Sequence, residues 1–243
     1  NGGNYKDRYK VLAEIRKALE AGDRQKAKQL AEQNLVGPNN AQYGRYLAFG
    51  DIFMVFNNQK KGLDTVTDYH RNLDITEATT TTSYTQDGTT FKRETFSSYP
   101  DDVTVTHLTK KGNKTLDFTL WNSLTEDLLA NGNYSWEYSN YKNGHVTTDA
   151  NGILLKGTVK DNGLKFASYL GIKTDGTVTV QNETLTVTGA SYATLYLSAK
   201  TNLAQNPKTN YRKDIDLEKT VKGIVEAAKT KDYETLKKAH IKD

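Results

Sequence analysis

Residues 77–100, EATTTTSYTQDGTTFKRETFSSYP, decide the fold. Two Thr-rich runs of period two, at about 77–85 and 89–98, flank Asp87-Gly88, a dipeptide suited to the left-handed backbone of a tight hairpin turn. The stretch therefore predicts two antiparallel strands. The same punctuation continues downstream: DVTVTHLTKK (102–111) and KTLDFTLWNS (114–123) meet at Gly112-Asn113, and WEYSNYKNGHVTTDANG follows from Trp136. GILLKGTV, LKFASYLGIKT, TVTVQ, ETLTVTG and ATLYLSAKT then come in order, separated at Asn162-Gly163, Asp175-Gly176 and Gln181-Asn182. Ten or more strands are too many for one open twisted sheet, so the expected fold is mainly β, a sandwich of two packed sheets.

The flanks change period. In RYKVLAEIRKALE (8–20), Val11, Leu12, Ile15, Ala18 and Leu19 share one helical face, and in QKAKQLAEQNLV Ala27, Leu30, Ala31 and Leu35 share another. Gly22 and Asp23 stand between them as stop and N-cap, which predicts a helix hairpin ending near Gly37-Pro38. Past Asn206-Pro207, IDLEKTVKGIVEAAK (215–229) aligns Leu217, Val221, Ile224, Val225 and Ala228, with Asp214 or Asp216 as cap, and DYETLKKAHIKD is helical again. The expected organisation is a helix hairpin over 1–40, a sandwich over 41–206 and linker helices over 207–243. The last helix reaches the end without a C-cap signal, which reads as a chain that continues.

Composition narrows the function classes. A hydrophobic fraction of 36% is low, but 15 Tyr, 7 Phe and 2 Trp supply large buried area per residue, so one sandwich core is within reach of 243 residues. The net charge of +4 comes from lysines and arginines spread along the chain, which argues against a nucleic-acid partner. No run of roughly 18 apolar residues offers a membrane span, and no basic-then-apolar leader opens the sequence. The absence of Cys excludes disulfides, thiolate metal sites and cysteine nucleophiles together. An Asn/Thr/Lys/Tyr-rich, Cys-free chain is biased toward a secreted or cell-surface bacterial protein.

Few residues announce chemistry. His70, His107, His145 and His240 show no metal-ligand spacing, and neither a Gly-x-Ser-x-Gly elbow nor a phosphate loop occurs, so no metal or cofactor is expected. Most carboxylates fall in turns or on helix surfaces. Asp51, in YLAFGDIFMVF (46–56), differs: its apolar neighbours should draw it toward a buried region, as a catalytic group or, more plainly, as the start of a strand with Gly50 supplying an unusual backbone angle. Tyr134, Trp136, Tyr138 and Tyr141 form the densest aromatic cluster, readable as core or as a platform for sugar rings.

Four ordered motifs carry a resemblance. Tyr46 with Gly50-Asp51, the segment Asp68-Tyr69-His70-Arg71-Asn72-Leu73-Asp74, the hairpin from Ser83-Tyr84 through Asp87-Gly88 to Arg93-Glu94, and Ser98-Tyr99-Pro100-Asp101 together resemble the N-terminal region of bacterial α-L-fucosidases of glycoside hydrolase family 95. The resemblance implies a non-catalytic β-sandwich and linker preceding an (α/α)6 barrel that carries the chemistry of an inverting fucosidase. It leaves no catalytic residue in this chain. It implies fucosylated glycans as partners through the whole enzyme and intramolecular contact with the barrel, with Tyr46 and Asp51 expected to help shape the sugar pocket; Trp136 is a further candidate sugar-binding residue through its aromatic cluster. Two alternatives stand beside it: an autonomous carbohydrate-binding module using the aromatic cluster, and the equivalent sandwich of a related sugar phosphorylase.

Overall fold

The computed structural model describes residues 7–35, 49–57, 65–123, 142–160 and 162–243. The deciding hairpin forms as β3 (Thr79–Gln86) and β4 (Thr89–Ser98), paired from Gln86↔Thr89 to Thr80↔Thr95. Asp87 and Gly88 both take positive φ, 49° and 72°, the backbone that matches the twist of a two-residue hairpin.

Twelve strands lie among the described residues, in two antiparallel sheets. The smaller has the order β1 (Ile52–Phe56), β6 (Leu116–Asn122), β11 (Thr184–Ala190), β10 (Thr177–Gln181). The larger runs β2 (Val66–Asp74), β3, β4, β5 (Val103–Lys111), β12 (Tyr192–Thr201), β9 (Lys165–Thr174), β8 (Gly152–Val159), β7 (Lys142–Asp149). The sandwich is as expected, but three tight connections are corners between sheets instead of hairpins. β5 and β6, joined at Gly112-Asn113, lie in different sheets, as do β9 and β10 and likewise β11 and β12. Gly112, at φ 136°, folds this corner against the β3–β4 turn so closely that an added Cβ would sit 2.6 Å from Thr89 Oγ1. Asp175 ties the other two corners together, its Oδ1 accepting from the amides of Ser191 (2.8 Å) and Tyr192 (3.2 Å).

Between the sheets the core consists of residues such as Phe118, Leu120, Leu185 and Val187 from the small sheet, all at most 1% exposed, with Leu108, Ile153 and Leu155 from the large one. The large sheet is covered on its other face as well. Helices α3 (Leu217–Lys229) and α4 (Tyr233–Lys242) belong to the same compact unit as the sheets, and Val221, Val225 and Leu236 cluster with Phe96, Val105, Tyr169 and Tyr196. Burial on both faces explains why β8 reads Ile153-Leu154-Leu155 as a continuous apolar run where a half-buried strand would alternate. Gly171 permits the closest helix approach: a Cβ there would lie 2.4 Å from Val225 Cγ1. Each helix is capped by an Asp, Asp216 accepting from Lys219 N at 3.0 Å and Asp232 from Thr235 N at 2.8 Å.

The other compact unit holds the helix hairpin, α1 (Leu12–Glu20) and α2 (Arg24–Asn34). Gly22 turns it at φ 75°, and Asp23 caps α2 through Lys26 N at 3.0 Å. Among its described residues Ala18 and Ala27 are buried, whereas Leu12, Leu19 and Leu35 of the predicted apolar faces are exposed.

Candidate functional site

The region β2–β5 carries different chemistry on its two faces. Strand alternation sends Glu94 and its register partner His107 to the helix-covered side, where Thr81 of β3 and Thr194 of β12 join them. Glu94, 7% exposed, accepts hydrogen bonds from the Tyr233 hydroxyl, from Lys237 Nζ at 3.0 Å, from Lys92 Nζ at 3.1 Å and from Thr81 Oγ1 at 3.3 Å. Burial alone would raise its pKa, but the bonds from Tyr233, Lys237 and Lys92 outweigh that and hold the carboxyl down at about 2. Burial, reinforced by Glu94, pushes the Tyr233 phenol upward, and the bond to Glu94 raises Lys237. His107 stacks on Tyr233 with ring centroids 4.0 Å apart, and its Nδ1 lies 2.8 Å from Thr194 Oγ1. Burial lowers its pKa, against the pull of Glu94 and Glu234. A carboxylate so fully hydrogen-bonded and so acidic makes a poor proton shuttle. Its work is to fasten α4 to the sheet, alongside Lys231–Asp101 and the His240 contact to Glu77 O at 3.0 Å.

The opposite face borders a cleft of about 360 Å³ between the sheets. Ile52 and Met54 of β1 and Leu120 of β6 line one side. On the other, Arg71, Thr82 and Arg93 stand in one register row across β2, β3 and β4, and Thr80, Thr95 and Thr106 stand in the next across β3, β4 and β5. Thr95 and Thr106 hydroxyls are 3.0 Å apart, and Thr80 Oγ1 donates to Thr95 O at 3.3 Å. Neither arginine forms an ion pair or hydrogen bond among the described residues, and no acid lines the cleft.

The residues singled out from sequence fare differently. Asp51 does not sit in a buried region: it is exposed, because period two places it with Phe53 and Val55 on the outward side of the small sheet while Ile52 and Met54 face the cleft. Its amide donates to Ser123 Oγ and its carbonyl accepts from Ser123 N, both at 2.8 Å, and Gly50 before it has φ 135°. It begins a strand. Tyr46, Trp136 and the Tyr134–Tyr141 cluster lie outside the described residues. Sequence reasoning passed over Arg71 and Arg93, although both fall inside the quoted motifs; only the β2–β3–β4 register brings them into one row. Among the described residues no group of three or more His, Cys, Asp or Glu could hold a metal ion, and no helix is long and apolar enough to cross a membrane.

Comparison with known proteins gives the family of this two-sheet sandwich. The family model of the glycosyl hydrolase family 65 N-terminal domain matches residues 2–206, and the chain belongs to that family. The match supports family 65 and its sugar-phosphorylase-like N-terminal domain; it does not support the family 95 fucosidase assignment that the motifs suggested. Among solved structures, the chain is similar in fold to a protein assigned as a kojibiose phosphorylase from the human microbiome, with 13% identity and a TM-score of 0.55. The similarity covers 79% of this chain and 26% of that one, so this chain spans about a quarter of its neighbour's length. No curated protein matches.

Proposed function

We propose that this chain is the non-catalytic N-terminal domain of a longer enzyme of the sugar-phosphorylase type, supporting a catalytic domain that transfers a glycosyl group from a disaccharide to inorganic phosphate. The family match carries this reading, because it identifies residues 2–206 with an N-terminal domain. The fold similarity to an assigned kojibiose phosphorylase favours the phosphorylase branch over the fucosidase branch. The site chemistry agrees: the best-formed carboxylate network, around Glu94, is committed to holding α4 and offers no free acid and base.

In this role α3 and α4 are the connection through which the sandwich is held rigidly beside its catalytic partner. The test compares this chain alone with the longer protein that contains it, supplying kojibiose and phosphate in one assay and an aryl α-L-fucoside in another. The expected result is no turnover by the chain alone and phosphate-dependent release of a sugar 1-phosphate by the longer protein. Fucose release without phosphate would restore the fucosidase reading, and turnover by the isolated chain would remove the non-catalytic role.

A further inference from the structure

The inter-sheet cleft is built unlike a gap in a core. A sandwich interior is ordinarily filled by apolar side chains from both sheets, and here both contribute, Ile52, Met54 and Leu120 from the small sheet and Leu170, Leu195 and Leu197 from the large one, but the large sheet adds charge. The facing row places two arginines on either side of Thr82, at Cα atoms two strand spacings apart, roughly 10 Å. Two cations at that distance, with no acid lining the cleft among the described residues, repel each other, and an anion shared between them relieves the repulsion with charge-assisted bonds. Guanidinium forks match carboxylate and phosphate oxygens in particular.

The rest of the lining restricts what carries the charge. A volume of about 360 Å³ falls at the small end of ligand sites, which excludes a macromolecular strand and suits one ring. Among the described residues no aromatic side chain lines the cleft, and these residues offer neither a nucleobase nor a neutral sugar the stacking platform it normally uses. Hydroxyls are abundant instead: Thr80, Thr82, Thr95, Thr104 and Thr106 all border it, offering donors and acceptors that pair with ring hydroxyls.

We infer that this cleft binds an anionic monosaccharide, its charge held between Arg71 and Arg93 and its hydroxyls facing the threonine rows. The anion follows from the arginines. The choice of a sugar to carry it rests on the carbohydrate-enzyme reading above. The site would retain acidic sugar on the sandwich itself.

Titration calorimetry on the full chain tests this with four probes: glucose 6-phosphate, glucuronate, glucose and inorganic phosphate. At least one of the two anionic sugars should bind at least about tenfold tighter than either glucose or phosphate, and Arg71→Gln or Arg93→Gln should each weaken it by about tenfold. A preference for glucose 6-phosphate or for glucuronate then names the anionic group. Because both arginines are exposed, the variants should retain the parent far-ultraviolet spectrum and melting temperature. The inference is overturned if glucose or phosphate binds as tightly as both acidic sugars, if all four fail to bind, or if the arginine variants bind unchanged. None of these outcomes bears on the phosphorolysis assay, so the two readings fail separately.

Discussion

The outer and inner faces of β3–β4–β5 are made from the same stretch of sequence and have opposite fates. On the outer face Glu94, His107 and Phe96 are covered by α4, and every hydrogen-bonding group of Glu94 is engaged. On the inner face Arg93 and Thr95, their immediate chain neighbours, border an open cleft, and Arg93 has no ion-pair or hydrogen-bond partner among the described residues. Polar residues in a sheet are thus informative by whether their bonds are closed. A closed network reports stability, and an open array of matched groups points to a ligand.

Perturbing each face should separate these roles, most strongly on the closed one. Leu236→Ala removes a fully buried side chain from beneath α4 and should cost about 3 kcal/mol, read as a lower urea midpoint. If α4 were a loose appendage, the midpoint would barely move. Gly171→Leu drives a side chain into Val225 and should cost about 2 kcal/mol through overpacking of α3. A wild-type melting curve for this variant would refute the close approach.

Acid should release α4 next. Glu94 has a folded pKa of about 2 against 4.5 for a free glutamate, so its stabilisation is complete above the unfolded value and is lost as pH falls from 4.5 through 2. The partly exposed lysines screen this effect, leaving about 1–2 kcal/mol between pH 6 and pH 2. His107 adds in the same direction at higher pH, since burial depresses its pKa and stability falls as pH drops below 6.5. Urea midpoints measured across this range on wild type and Glu94→Gln should converge at the acid end; parallel curves would show that Glu94 is not the titrating group. The smallest effect belongs to the open face: Arg71→Gln with Arg93→Gln together should change stability by no more than about 0.5 kcal/mol.

Much of this architecture is legible in the sequence. Asp87-Gly88 announces its hairpin, the apolar spacing from Leu217 to Ala228 announces α3 with its cap left between Asp214 and Asp216, and the Thr/Val alternations give most strands nearly to the residue. Corners are harder, because Gly112-Asn113 and Asp175-Gly176 look like hairpin turns while the strands they join belong to different sheets. Local turn chemistry bends the chain but does not choose its partner strand. Asp51 misled for a related reason: apolar neighbours suggested burial, yet alternation turned this one position outward.

The candidate site was the least legible part. Arg71 and Arg93 are 22 residues apart in sequence and meet only through Thr82, so neither spacing nor composition could pair them. Glu94 shares a motif with Arg93, and nothing in Arg-Glu as a dipeptide says that one side chain closes a latch while the other borders a cleft. The motifs also pointed to family 95, where the match over residues 2–206 gives family 65. Short motifs around one hairpin follow the shape of a sandwich more closely than they follow the chemistry of its parent.

The most direct test sets adjacent residues against each other: Arg93→Gln and Glu94→Gln, each measured for Tm and for affinity toward the tighter-binding acidic sugar. The account predicts a double dissociation, in which Glu94→Gln lowers Tm and leaves affinity intact while Arg93→Gln leaves Tm intact and weakens binding about tenfold. A fall in Tm for Arg93→Gln with no change in affinity would contradict it, showing that both faces of the strand serve stability alone.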